Sequence, residues 1–380
     1  MNLWVVGDVC LAGEPEQTLP TLADTVWDRL LPQRKPTDVL VANLENALSN
    51  RGEPRPFKWA NLRAAPEAVR LLRGLDVAVL SNNHISDFGE AGVDQTLEAL
   101  ALERIAPVGY GPNLESAARP LIVKRDGATV AVVAQCCPTT NGENYATHTT
   151  AGVPTLSVKL LRDQIAAARS QADATLVYFH WGCEQAHHAV PDQVRLGRLA
   201  VQFGADAVVG CHGHVIQSYE CYRGRWVFHG LGNFLFGPVF SRTVSPDGVP
   251  MVARHDQLPA NQESLVVQFE LVDGKPGERL RLAAVQPFRF AQHSIPSPIP
   301  RAALSVDLDA VNRRLARYAA LHSRELRDDR EPMFHATVRN GILAYWYSEP
   351  PIRKADCSAP RALVQRAWRK TRRLTTRLTK

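Results

Sequence analysis

The 380-residue sequence predicts an α/β fold built on mixed sheets. Three observations lead there. Short β-branched, apolar runs alternate with segments of helical periodicity through the first half of the chain. Two of the later runs join neighbours as hairpins, so the sheets are not purely parallel. Five of the runs end on polar clusters of Asp, Asn, Glu and His, where strands of an open α/β sheet meet the ligand-binding rim.

Taken in order, Leu3-Trp4-Val5-Val6 is the first strand and runs into Gly7-Asp8. Val39-Leu40-Val41-Ala42 leads to Asn43-Leu44-Glu45. Residues 66–75 have helical spacing with Pro66 suited to a first turn. Val77-Ala78-Val79-Leu80 then precedes Asn82-Asn83-His84, and residues 90–104 read as a helix. Residues 121–133 predict a hairpin through Asp126-Gly127. Residues 158–172 are helical, and Thr175-Leu176-Val177-Tyr178-Phe179 leads to His180-Trp181-Gly182. Pro191–Phe203 is a helix stopped by Gly204. Ala207-Val208-Val209 ends on Gly210-Cys211-His212-Gly213-His214. A second hairpin over 221–228 turns at Arg223-Gly224, and strands follow at 265–271 and 280–285. Residues 241–261, rich in Pro, Gly and polar side chains, read as a long loop beside the site.

The Pro-rich run Ile295-Pro296-Ser297-Pro298-Ile299-Pro300 marks a boundary near 295, giving a body of 1–295, an extension of 296–360 and a tail of 361–380. Within the extension, 308–327 looks helical and 333–347 is aromatic. Apolar residues at 45% and charged residues at 22% match the globular norm and predict a sizeable core. The net charge of +6 is local: residues 361–380 hold eight Lys or Arg and no acid, which leaves residues 1–360 at −2. Leu363, Val364, Ala367, Trp368, Thr371, Leu374 and Leu378 fall at helical spacing in that tail. A basic amphipathic helix suits an anionic membrane surface or a protein partner, while a solvated tail with Trp368 packed on the body explains the same residues. Specific nucleic-acid recognition is not expected. No run approaches the roughly 20 apolar residues of a membrane helix, and Met1–Asp8 has no basic n-region. The expectation is a cytoplasmic protein, peripheral at the membrane if the tail docks. Seven cysteines without regular spacing predict reduced thiols.

Each cluster has a bland reading. Asp8 is an ordinary strand-end turn residue, Asn83-His84 a capping turn, His180 a satisfied core histidine and His212-x-His214 an incidental pair. Glu45 differs, because a carboxylate in a strand-like run is costly to bury without a cation or hydrogen-bond donors. Five clusters with one placement favour a shared metal site, since these are the side chains divalent ions take. Residues two apart at a strand end point to one side, so both His212 and His214 would reach it, with Gly210 and Gly213 easing the turn.

The order Gly7-Asp8-Val9, Asn43-Leu44-Glu45, Ser81-Asn82-Asn83-His84, His180-Trp181-Gly182, Gly210-Cys211-His212-Gly213-His214 and Leu231-Gly232-Asn233-Phe234 resembles the CapA-type poly-γ-glutamate capsule biosynthesis family, within the calcineurin-like metallophosphoesterase superfamily. The resemblance covers roughly residues 1–290. It implies a metallophosphoesterase-like sandwich of two mixed β-sheets flanked by helices, with the C-terminal helical extension beyond it. It implies a centre of one or two divalent ions (Mn, Fe or Zn), with Asp8 and His214 on one position, Asn83, His180 and His212 on the other, and Glu45 bridging. His84 would be the non-ligand histidine that stabilises developing charge or protonates a leaving group, oriented by Asp87 three residues on. Asn233, Lys58 and Arg55 are substrate-binding candidates, although Asn233 also suits a turn and the two cations an exposed loop. Of Glu184, His187 and His188, at most one is expected to matter. Cys10 stands where the superfamily's Asp-x-His has its histidine, and reads as a thiolate ligand or a buried thiol. The implied activity is a metal-dependent hydrolase or transferase, acting on a phosphoester or γ-glutamyl-type amide of an anionic polymer or small molecule. A non-catalytic accessory of polymer assembly or export and an enzyme that tailors a small metabolite are the alternatives.

Overall fold

The computed structural model describes residues 1–347 apart from 19–25, 57, 59, 141–143, 245–248, 276, 291–294, 324, 325, 327, 328, 330, 332, 333, 340 and 341. The tail expectations for 361–380 therefore lie outside the described residues. Residues Met1–Trp346 make up one compact unit, which extends past position 295.

The strand Asn2–Cys10 is buried along nearly its whole length, as a central strand with both faces covered must be. It lies in a sheet whose spatial order is Ser297–Pro298, Leu280–Arg289, Glu263–Leu271, Asn2–Cys10, Val39–Leu44, Val77–Val79, Ala106–Val108, with Asn233–Phe236 paired parallel to its end. The second sheet runs Tyr219–Tyr222, Arg225–Phe228, Ala207–Cys211, Ala174–His180, Ala128–Cys136, Leu121–Arg125. Both mix parallel and antiparallel pairs. The strand period of two sorts the core. Leu3, Val5, Val41 and Val77 meet Val130, Leu176, Tyr178 and Val209 between the sheets. Trp4, Val6, Leu40 and Ala78 face the other way, onto Trp27, Leu71 and Val93. Helices Val158–Arg169 and Pro191–Phe203 bury Leu161, Ile165, Leu196 and Leu199 on the second sheet's outer side. The expected sandwich of two mixed sheets flanked by helices is present.

Local chemistry explains most boundaries. Both predicted hairpins turn through consecutive left-handed residues, Asp126 and Gly127 (φ 52° and 78°) and Arg223 and Gly224 (φ 51° and 78°), as a two-residue I′ turn requires. Gly204 ends its helix at φ 110°. Pro66–Leu72 is a 3-10 helix, tighter and shorter than the periodicity predicts. Leu308–Leu321 is helical, inserting Leu308 into the inter-sheet core and setting Leu315 and Ala319 against Val194. The aromatic 333–347 stretch contains the paired strands Phe334–Arg339 and Ile342–Tyr347.

One expectation is overturned. The long loop of 241–261 is mainly a hairpin, Val239–Val244 with Pro250–His255, in register from Val239↔His255 to Val244↔Pro250. It joins Asn61–Ala64 and Ala47–Leu48 in a third sheet. Pairing with a strand almost 180 residues away, and burial of Val239 with Leu62 and Phe236, override the local loop composition. Among the described residues no helix is long and apolar enough to cross a membrane.

The first strand's polar end is positioned by a close backbone approach. The Asp8 N–H donates to the Gly232 carbonyl at 3.0 Å. A Cβ on Gly7 would lie 1.9 Å from that oxygen. Gly7→Ala should therefore destabilise the fold by about 1–3 kcal/mol, the usual cost of overpacking, read as a lower urea midpoint. An unchanged midpoint would contradict this packing.

Candidate metal centre

The carboxyl ends of both sheets meet at one place. Asp8 pairs with Asn43 on one side and Asn233 on the other, with register shifts on both sides of Asp8. Such irregularities re-aim a side chain. In the second sheet His180 pairs with Cys211 and Cys136 at the last rungs. The His212 N–H crosses between the sheets to Asp8 Oδ2 at 3.2 Å, and Tyr178 Oη donates to the Val6 carbonyl at 3.0 Å. Asp8, Glu45 and His180 are fully buried.

Three triads of donor atoms form within this junction: Asp8, Glu45 and His214; Glu45, His180 and His212; and Glu184, His212 and His214. In each, the donor atoms lie within 4.8 Å of one another. His180 Nε2 is 3.5 Å and His214 Nε2 3.7 Å from Glu45 Oε1, and His214 Nδ1 is 3.6 Å from Asp8 Oδ2. His180 Nε2 also lies 2.8 Å from Asn83 Oδ1, while Asn83 Nδ2 donates to the Thr140 carbonyl at 3.1 Å. All six residues read as ligands are thus brought together.

Amides hold these groups in place. Asn43 Nδ2 donates to Asp8 Oδ1 (2.8 Å), and Asn82 Nδ2 donates to Asn43 Oδ1 (3.0 Å) and the Leu44 carbonyl (2.8 Å). Asn82 Oδ1 accepts from the N–H groups of His84 and Ile85 at 3.0 and 2.9 Å. Asn43 and Asn82 lie inside the sequence clusters, yet only cross-strand pairing reveals their role. His212 and His214 are gathered by a tight turn in place of strand alternation: both are left-handed, at φ 94° and 54°. That conformation is uncommon outside glycine and concentrates at functional sites. Gly210 serves packing, since a Cβ there would lie 2.1 Å from Trp181 Nε1.

Beside the triads, Asp87 is fully buried and binds three donors: Lys58 Nζ, the Leu62 N–H at 2.7 Å and His84 Nδ1 at 2.7 Å. The segment from His84 to Asp87 is a turn, closed by the Asp87 N–H to the His84 carbonyl, and the helix begins only at Gly89. Lys58 is mostly buried, and its ammonium also donates to the Asn83 carbonyl. Arg55 ties its loop to this turn through its backbone N–H, which donates to the Asp87 carbonyl at 2.8 Å. Asn233 is fully buried: its Oδ1 lies 2.9 Å from His214 Nδ1, and its Nδ2 donates to Gln257. That pairing puts the ring proton on Nδ1 and leaves Nε2 of His214 facing Glu45. Cys10 packs among Ala12, Leu62, Phe236, Val239 and Phe290, where burial pushes its thiol up, as in an inert core cysteine. Of the three residues after His180, Glu184 joins a triad, whereas His187 bonds the Ile216 carbonyl and His188 lies beside Arg314.

The donor set fits a divalent ion. No donor reaches either carboxylate oxygen of Glu45, and Nδ1 of both His180 and His212 lacks a partner among the described residues. Four buried polar atoms without hydrogen-bond partners among three residues of these triads exceed the native norm. Burial, then the neighbouring Asp8, pushes Glu45 well above the usual carboxylate range. Burial pulls His180 well down and His212 to about 3, and the rings repel one another's charge. His84 is lowered by burial and by Lys58 against the pull of Asp87. Burial pushes Asp87 up, but Lys58 and His84 outweigh it and hold the carboxyl low. Neutral imidazoles beside carboxylates are ready metal ligands.

The fold and site define an α/β sandwich protein with a His/Asp/Glu centre suited to a divalent metal at its strand ends. Residues 2–238 match the family described as bacterial capsule synthesis protein PGA_cap, and the chain belongs to that family. It is 30% identical over 244 residues to the PGA biosynthesis protein CapA of Bacillus subtilis (strain 168), covering 63% of this chain and 64% of that one. It is 28% identical over 253 residues to the capsule biosynthesis protein CapA of Bacillus anthracis, covering 64% and 61%. The chain thus spans under two thirds of the length of these relatives. Among solved structures it superposes loosely on a putative 5'-nucleotidase from Staphylococcus aureus, with TM-score 0.46 and 13% identity over 84% of this chain and 59% of that one.

The lowered histidines set a pH dependence for the metal-free protein. His84, His180, His212 and the buried His229 are all held below their ordinary value. Folding then excludes protons that the unfolded chain takes up, so stability present above about pH 6.5 falls as pH drops, by up to ~1.4 kcal/mol per pH unit per histidine. Glu45 and Asp206, raised by burial instead, oppose this. The urea midpoint of chelator-treated protein should fall from pH 7 to pH 5, and a midpoint that rises over that interval would contradict the assignment.

Proposed function

We propose that the chain is a metal-dependent hydrolase or transferase of capsule polymer synthesis, cleaving or transferring a phosphoester or a γ-glutamyl-type amide. One observation carries this reading: Glu45, fully buried, has two carboxylate oxygens with no hydrogen-bond donor among the described residues. Leaving such a group unpaired is very costly, and a bound cation relieves it. Asp8, Glu45 and His214 would hold one divalent ion, and Asn83, His180 and His212 another, with Glu45 shared. Mn, Fe and Zn all suit such mixed nitrogen and oxygen donors. Bound there, the ions would supply Lewis acidity toward a substrate oxygen and ease the deprotonation of water.

The chain's own contribution is proton handling beside the centre. With Asp87 held ionised by Lys58, its Oδ2 accepts the Nδ1 proton of His84. Nε2 of His84 is then the ring atom left to exchange a proton with a leaving group or to stabilise developing charge. A protein that only bound polymer would need no such oriented histidine, so this arrangement favours catalysis over an accessory role. The family relationship favours a substrate in poly-γ-glutamate or related capsule synthesis.

The test pairs metal analysis with a panel of phosphoester and γ-glutamyl amide substrates. Protein purified without chelators should hold at least one divalent ion per chain. His84→Ala should keep that metal and lose at least ~100-fold in turnover, the scale of one general acid–base group. Full activity in His84→Ala would remove the assigned proton role, and protein devoid of metal would remove the centre.

A further inference from the structure

The six residues implied as ligands by the family resemblance leave one carboxylate at the junction without a task. Glu184 follows Trp181-Gly182-Cys183 and lies on the exposed rim of the site. Its carboxylate shares a triad with His212 and His214, donor atoms within 4.8 Å of one another. Its loop is anchored on both sides: the Trp181 N–H donates to the Cys211 carbonyl at 3.1 Å, and the Gln185 N–H to the Gly213 carbonyl at 2.9 Å. A second observation points the same way. His212 is only 4% exposed, and its Nδ1 has no partner among the described residues.

The three triads interlock. Glu45 is common to the first and second, His212 to the second and third, and His214 to the first and third. The shared members join the three triads into one donor cluster, of which Glu184 is the exposed member. Cys10, packed in an apolar cluster, supplies nothing.

Resting on the metal reading above, we infer that Glu184 is a direct ligand, binding a divalent ion together with His212 and His214 at the solvent mouth of the centre. It adds a third negative charge to those of Asp8 and Glu45, which offsets more of the charge of a two-ion centre. A carboxylate oxygen there also favours a hard ion such as Mn2+.

The test is Mn2+ titration of the chelator-treated full chain, comparing wild type with Glu184→Gln by calorimetry and by the free-ion electron paramagnetic resonance signal. Glu184→Gln keeps shape and removes charge at an exposed position, and its circular dichroism should match wild type. In Glu184→Gln one Mn2+ equivalent should weaken at least ~10-fold, since altering even an indirect partner of a metal ligand costs about 10–100-fold. Equal affinity and stoichiometry in the two proteins would overturn the role of Glu184 while leaving the centre intact. A wild type that binds no Mn2+ would overturn both.

Discussion

The constraint on which the rest depends is a carboxylate buried at the seam of two sheets. Glu45 is fully enclosed, its N–H is tied to the Val9 carbonyl at 2.8 Å, and among the described residues no hydrogen-bond donor answers either of its oxygens. A fold relieves that cost with donors, with a proton or with a cation. Nearest Glu45 among the described residues stand Asp8, another acceptor, and the rings of His180 and His214, none within hydrogen-bond geometry, so a proton or a cation remains. Neutral histidines kept low by burial make the cation the better match, because they offer lone pairs in place of charge.

The scaffold that brings these groups together is stiff. Tyr178 and His212 stitch the sheets across their seam, and Gly7 admits the Gly232 carbonyl where no side chain fits. Asp8, Asn43 and Asn82 form a buried chain of amide and carboxylate bonds that sets the turn bearing Asn83 and His84. Each group in that chain is satisfied by the next, and such networks specify one arrangement. The turn holding His212 and His214 carries left-handed strain at both residues, so the structure offsets an unfavourable backbone to aim two rings. The proposed metal ligands and proton relay sit back to back: Asn83 faces His180 while the next residue, His84, faces Asp87.

Much of this was legible in the residues. Unbroken β-branched runs mark strands buried on both faces, and their polar ends locate the junction because side chains there leave the sheet. Asp126-Gly127, Arg223-Gly224 and Gly204 carry their backbone conformations in their chemistry. The hairpin formed by Val239–Val244 and Pro250–His255 was not legible, since its partner strand Asn61–Ala64 is remote in the chain and only pairing reveals it. Lys58 read as a substrate-binding or exposed loop cation because its burial against Asp87 is tertiary. Asn43 and Asn82 were visible but mute, as amides acquire roles only from what they touch. Cys10 had two readings, and its apolar neighbours favour the buried thiol.

The central claim is that a cation, and not a proton, balances Glu45. Thermal midpoints of chelator-treated wild type and Glu45→Gln, each with and without Mn2+, test it directly. Wild type should gain several degrees with Mn2+, as a ligand at 100 times its Kd adds about 2.7 kcal/mol. Metal-free Glu45→Gln should be at least as stable as metal-free wild type and gain little from Mn2+. A wild-type midpoint indifferent to Mn2+, or the same gain in Glu45→Gln, would contradict the account.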